Sequence, residues 1–105
     1  MQRYDYMTHL EARLSTVKKE IAFAVYNRII KVFPYVYQSF FIIARGRKNF
    51  MSYPYVIGKL IEAAGVDISQ LKLKAIKTPC KVREAEYYWA KILEITPQIR
   101  EIMWR

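Results

Sequence analysis

Apolar residues recur at intervals of three and four along most of this chain, and that period restricts its folds more than any other feature. Met7, Leu10, Leu14, Val17, Ile21, Ala24 or Val25 and Ile29 follow one another at the spacing of a single helical face. The stripe predicts one long N-terminal helix over residues 1–33, ended by Pro34, which lacks the N–H that the ladder needs. Its second half, from Ile21 to Tyr26, is apolar all round and is expected to be buried. About three heptads of seam would also suit a coiled coil, but packing within the domain accounts for them as well.

Downstream the punctuation is sharp. Pro34 can open a second helix over 35–44, and the run Arg45-Gly46-Arg47-Lys48-Asn49 interrupts it. Ser52 is a candidate N-cap with Pro54 in the first turn of a third helix, whose face carries Val56, Ile57, Leu60, Ile61 and Ala64 before Gly65 stops it. Thr78-Pro79 and Thr96-Pro97 are two further helix starts, the first followed by a Val82, Ala85, Trp89, Ile92 stripe, the second by Ile99, Ile102 and Met103. Around 71–76 the period is ambiguous, since Leu71, Leu73 and Ala75 alternate with Lys72 and Lys74 as a short strand pair would, or a short helix. With 105 residues there is room for one domain. The expectation is an all-α domain of four to six helices over residues 1–105. Its parts are the long helix 1–33, a basic loop 45–51, a helical segment 53–95 and a short C-terminal helix 97–105.

Charge is the second constraint. Eighteen Lys and Arg against nine Asp and Glu leave +9, which calls for an anionic partner. The excess is clustered. Between Glu20 and Glu62 stand Arg28, Lys31, Arg45, Arg47, Lys48 and Lys59 with no acid among them. Between Asp67 and Glu84 stand Lys72, Lys74, Lys77, Lys81 and Arg83, again with none. Clustering matters because fields add only within about a Debye length, ~8–10 Å at physiological salt. The reading is a nucleic-acid face. In it Arg45, Arg47, Lys48 and Lys59 meet phosphate, Asn49 bonds a phosphate or a base edge, and Tyr53 and Tyr55 stack on unpaired bases. The second loop adds Lys72, Lys74, Lys77 and Lys81. The plain alternative is that these cations only solvate the surface or meet acidic protein neighbours.

Catalytic material is scarce. His9 is the only histidine and Cys80 the only cysteine, so no metal site, disulfide framework or cofactor is expected. Cys80 at a helix start beside Lys81 is the one candidate reactive thiol, and a small residue tucked into that start is the simpler reading. Glu84 and Glu86 point to different helix faces and form no carboxylate pair. No glycine-rich phosphate loop, nucleophile elbow or His-Glu-x-x-His run occurs. Phe50 and Trp89 are expected to anchor the basic loop and fill the core. The N-terminus has no apolar signal-like region, and the longest apolar stretch, 32–44, is shorter than the ~20 residues that span a bilayer.

The run Arg47-Lys48-Asn49-Phe50-Met51-Ser52-Tyr53-Pro54-Tyr55-Val56-Ile57-Gly58-Lys59-Leu60 resembles the C-terminal segment of the poxvirus late transcription factor type-three family of large DNA viruses. Leu73-Lys74, Lys81 and Trp89 to Ile92 follow in matching order, so the resemblance covers about residues 38–94. It implies a viral, nucleic-acid-associated protein of late transcription, located inside the host cell or in the virion. Members of that family carry a zinc-binding cysteine cluster, which Cys80 alone does not reproduce. The expected function is therefore non-catalytic nucleic-acid binding with protein partners of a larger assembly, and with no small-molecule substrate or membrane partner. The rival expectation is a small structural subunit, a virion minor capsid or internal protein or an organellar ribosomal protein, using basic loops and tyrosine-rich interfaces. A weaker rival is a peripheral membrane protein that lays the 32–44 segment on a bilayer.

Overall fold

The computed structural model describes residues 3–71 and 78–104. It consists of five α-helices: α1 (Arg3–Leu14), α2 (Phe23–Ile43), α3 (Tyr53–Ala63), α4 (Pro79–Ile95) and α5 (Pro97–Met103). Short 3₁₀ turns at Lys18–Glu20 and Ile68–Gln70 stand between them, and no strand occurs among the described residues. The ambiguous stretch at 71–76 falls almost wholly outside them. The all-α expectation holds.

The organising element is α2. Its 21 residues reach about 31 Å at 1.5 Å per residue, against a longest molecular extent of 36 Å. Helices α3, α4 and α5 pack on α2, and α1 packs on α3. Val25, Ile29, Val32, Phe33, Val36 and Phe40 form the buried ridge of α2. Around them gather Leu10 and Leu14 of α1, Val56, Ile57, Leu60 and Ile61 of α3, Ala85, Trp89 and Ile92 of α4, and Ile99 and Met103 of α5.

The single helix expected over 1–33 is in fact two. The Ser15 and Thr16 hydroxyls donate to the carbonyls of Ala12 and Arg13, at 2.7 and 2.8 Å, and so compete for acceptors of the helical ladder. The backbone then tightens to i+3 bonds through Val17 and Glu20 before α2 starts at Phe23. The apolar stripe survives because a tightened turn also advances about three residues. Val17 is fully buried and Ile21 nearly so, in step with Leu14 before and Val25 after. The apolar belt expected at 21–26 is not buried all round: Ala22, Phe23 and Ala24 are exposed, Phe23 at 73%.

Nor does Pro34 end the helix. It lies inside α2, which merges the expected 35–44 helix with its predecessor. A mid-helix proline costs about 3 kcal/mol. Phe33 on one side and Val36 and Phe40 on the other are all fully buried, and their burial offsets that cost.

The other termini follow their local chemistry. Ser52 caps α3 by accepting the Tyr55 N–H at 3.4 Å, with Pro54 in the first turn. At its far end Gly65 (φ +89°) donates to Glu62 and Val66 to Ile61, a Schellman closure. Asp67 accepts from the Ser69 N–H at 2.9 Å, and that bond holds its carboxyl below the usual carboxylate range. Thr78 and Thr96 do precede α4 and α5, yet neither hydroxyl caps its helix. The Thr96 hydroxyl instead bonds that of Ser39, both buried, and fixes the α4–α5 corner on the C-terminal part of α2.

Candidate nucleic-acid interface

The basic loop joins α2 to α3. Arg47 N–H donates to the Ala44 carbonyl at 3.1 Å and closes a four-residue turn. Gly46 takes φ +87° at its third position, a sign that L residues adopt with strain and that a type II turn demands. Past the turn the chain is held by Phe50. Its ring lies 5.0 Å from Tyr53, 5.2 Å from Phe40, 5.3 Å from Tyr37, 5.5 Å from Phe33 and 6.4 Å from Phe41. The anchor expected of Phe50 is thus built from α2 on one side and the start of α3 on the other. Trp89, nearly buried, lies in the core as expected.

Arg47 is engaged from three directions. Its Nη1 donates to Glu84 Oε1 of α4 at 2.8 Å, and its guanidinium carbon lies 5.8 Å from both the Phe40 and Tyr88 ring centres. The Glu84 bond, more than any other influence, raises the Arg47 pKa, and the same bond holds the Glu84 carboxyl below its usual range. Both side chains are well exposed, 38% and 44%, so as an ion pair they contribute little. The sequence gives no hint of this partner, which lies 37 residues away.

Lys48, Arg45 and Asn49 are exposed, and no ion pair holds Arg45 or Lys48 among the described residues. Lys48 and Arg47 line an open groove of about 750 Å³ whose other walls are Tyr37, Gln38, Phe41 and Ile42 of α2. Arg47 also lines a cleft of about 230 Å³, together with Phe50, Met51, Ser52, Lys81, Glu84, Ala85 and Tyr88. Arg47, from the first acid-free window, and Lys81, from the second, therefore share one cleft, although Glu84 stands in it with them.

The remaining candidates divide. Tyr53 is half-buried, its ring stacked 5.7 Å from Phe33 with 7° between planes and 5.7 Å from His9. It supports the loop, and one of its faces is already occupied. The Tyr55 hydroxyl is buried without a hydrogen-bond partner among the described residues. Burial, then the Glu86 and Glu62 carboxylates, raises its pKa. Lys59 lies 5.5 Å over the Tyr55 ring and pairs with Glu62 at 3.8 Å, about 9 Å along α3 from Tyr53. Lys72, Lys74 and Lys77 lie outside the described residues. Sequence reasoning missed Gln38, Phe41 and Ile42; their signal was polar or apolar residues on the outward side of a helix otherwise committed to the core. Cys80 is exposed at the start of α4. Among the described residues no three His, Cys, Asp or Glu side chains gather as a metal site, and no helix is long and apolar enough to cross a membrane.

Compared with known families, the chain matches the model described as Poxvirus Late Transcription Factor VLTF3 like over residues 2–99. The match extends past both ends of the 38–94 segment that carries the resemblance. No curated protein and no solved structure matches the chain.

Proposed function

Because this chain belongs to the Poxvirus Late Transcription Factor VLTF3 like family, we propose that it serves viral late transcription as a non-catalytic module that holds nucleic acid. The observation that carries the reading is the convergence on Arg47: it lines both the groove that Lys48 lines and the cleft that Lys81 lines. Cations from two separate acid-free stretches thereby face one region. Lys48, Arg45 and Lys81 are the phosphate contacts, and Asn49 offers an amide to a phosphate or a base edge. Arg47 joins them only as far as a phosphate displaces Glu84. Lys59, set off along α3 and paired with Glu62, is peripheral.

This reading gives the chain DNA as its partner, other proteins of the late-transcription machinery as neighbours, and the infected cell or the virion as its place. The test is binding of a labelled DNA fragment by fluorescence anisotropy across a salt series. Lys48→Glu and Lys81→Glu should each weaken binding and flatten the salt dependence by about one phosphate contact. Binding that ignores both substitutions and salt would refute the proposal.

A second reading, a small structural subunit of a virion, is favoured by Phe23 and Ile42, 73% and 61% exposed on α2. The two stand at opposite ends of α2, about 28 Å apart at 1.5 Å per residue, and so offer two separate apolar contacts to neighbouring subunits. Light scattering of the isolated chain separates the two, since a subunit that needs its neighbours self-associates without them.

A further inference from the structure

We infer that the groove between α2 and the basic loop takes an unpaired nucleobase, so that the chain prefers single-stranded to duplex nucleic acid. The inference rests on the nucleic-acid reading above and adds the form of the ligand. At about 750 Å³ the groove is within the range of small-ligand sites, roughly 300–1,000 Å³, whereas the neighbouring cleft, about 230 Å³, is below it and contains a carboxylate.

Its lining has the three chemistries a nucleotide presents. Half-buried Tyr37 and Phe41, their ring centres 5.0 Å apart, and exposed Ile42 form an apolar wall against which a base can lie. The Gln38 amide both donates and accepts, so it can meet the edge of any base. Lys48 and Arg47, from the basic loop, supply its cations, and none of the six lining residues is acidic. Since Arg47 is bonded to Glu84, Lys48 is the cation that receives the phosphate. Charge complementarity thus selects an anionic occupant, and the aromatic wall selects one with a flat apolar face. A base stacked within a duplex cannot reach such a wall; only one outside the stack can.

The experiment compares four ligands on the full chain by anisotropy at fixed salt: an oligothymidylate, an abasic strand of equal length and charge, a duplex of equal length, and an acidic peptide containing aromatic residues. The oligothymidylate should bind about tenfold more tightly than the abasic strand and more tightly than the duplex. Ile42→Ala and Gln38→Ala, both at exposed positions, should each bring oligothymidylate affinity several-fold toward that of the abasic strand. Equal binding of the abasic strand, or tighter binding of the duplex, overturns the base-binding groove and leaves the nucleic-acid role standing. Failure of all three nucleic-acid ligands overturns both. Displacement of bound oligothymidylate by the acidic peptide at lower concentration assigns the groove to a protein partner instead.

Discussion

Replacing Phe50 with alanine tests how the basic loop is held. Full burial of a phenylalanine makes its truncation cost about 3–5 kcal/mol. Phe50 is only half-buried, which lowers that share, but five rings lie within 6.4 Å of it. Such pairs contribute about 0.5–1.5 kcal/mol beyond burial, and those that share one ring do not add independently. The expected loss is about 2–3 kcal/mol. A domain of 105 residues has roughly 5–15 kcal/mol in total, so the variant should still fold while its urea midpoint falls by about 1–2 M. Phe50→Leu keeps most of the apolar volume and loses the ring contacts, and should cost about 1 kcal/mol.

Urea unfolding followed by circular dichroism measures both variants, and the slope must stay unchanged for the midpoints to be compared. A midpoint drop in Phe50→Ala of less than about 0.3 M would refute the anchoring argument. If Phe50→Leu cost as much as Phe50→Ala, the stabilisation would come from filled volume rather than from the rings.

Three further outcomes follow from particular contacts. Ser39→Ala or Thr96→Val alone leaves one buried hydroxyl without its partner and should cost about 1–3 kcal/mol by urea unfolding, whereas the double variant should cost less than the two singles added together. Glu84 has its folded-state pKa depressed by the Arg47 hydrogen bond, so its stabilisation is fully present above the ordinary carboxylate pKa and is lost as pH falls through the folded value. Melting curves of wild type and Glu84→Gln should therefore differ by a small constant amount at neutral pH and converge only as pH falls below the ordinary carboxylate range. At neutral pH the same substitution should tighten DNA binding, because it removes a carboxylate and releases Arg47. Gly46→Ala meets no atom within 4 Å but keeps φ +87°, so it should lose about 1–2 kcal/mol to backbone strain alone, measured by thermal unfolding.

How far the sequence revealed this fold depends on which physical signal each element used. Helices α3, α4 and α5 were legible because a proline in the first turn fixes φ, and a glycine past the last permits the left-handed turn that ends a helix, wherever the segment packs. The break between α1 and α2 was not, because apolar spacing of three and four is common to an α-helix and to a tightened turn, so burial of Val17 and Ile21 looks the same in either. Pro34 misled for the opposite reason. Its local penalty is real, but the buried residues on either side of it outweigh that penalty, and burial is decided by partners on α3, α4 and α5. In the site, Phe50 as an anchor and Gly46 as a turn were readable from residue type. The Glu84 partner of Arg47 and the α2 wall of the groove were not, since both arise where α2 and α4 meet the loop.

The Arg-Lys-Asn-Phe run can now be divided by what each side chain touches. Arg47 and Phe50 turn toward the protein, the one lying between Phe40 and Tyr88 and bonded to Glu84, the other among five rings. Lys48 and Asn49, between them, are exposed. Two residues therefore shape the loop and two are presented by it, which explains why a short basic stretch needs an aromatic at its end. It also sets the order in which charge should be removed. Reversal at Arg47 would place a carboxylate beside Glu84 and lose contact with two rings, so any fall in DNA binding would mix a disturbed loop with a lost phosphate contact. Reversal at Lys48 changes the field of the groove and leaves the loop's supports in place. If the loop acts through its charge, Lys48→Glu should weaken binding without shifting the urea midpoint, and Arg47→Glu should do both.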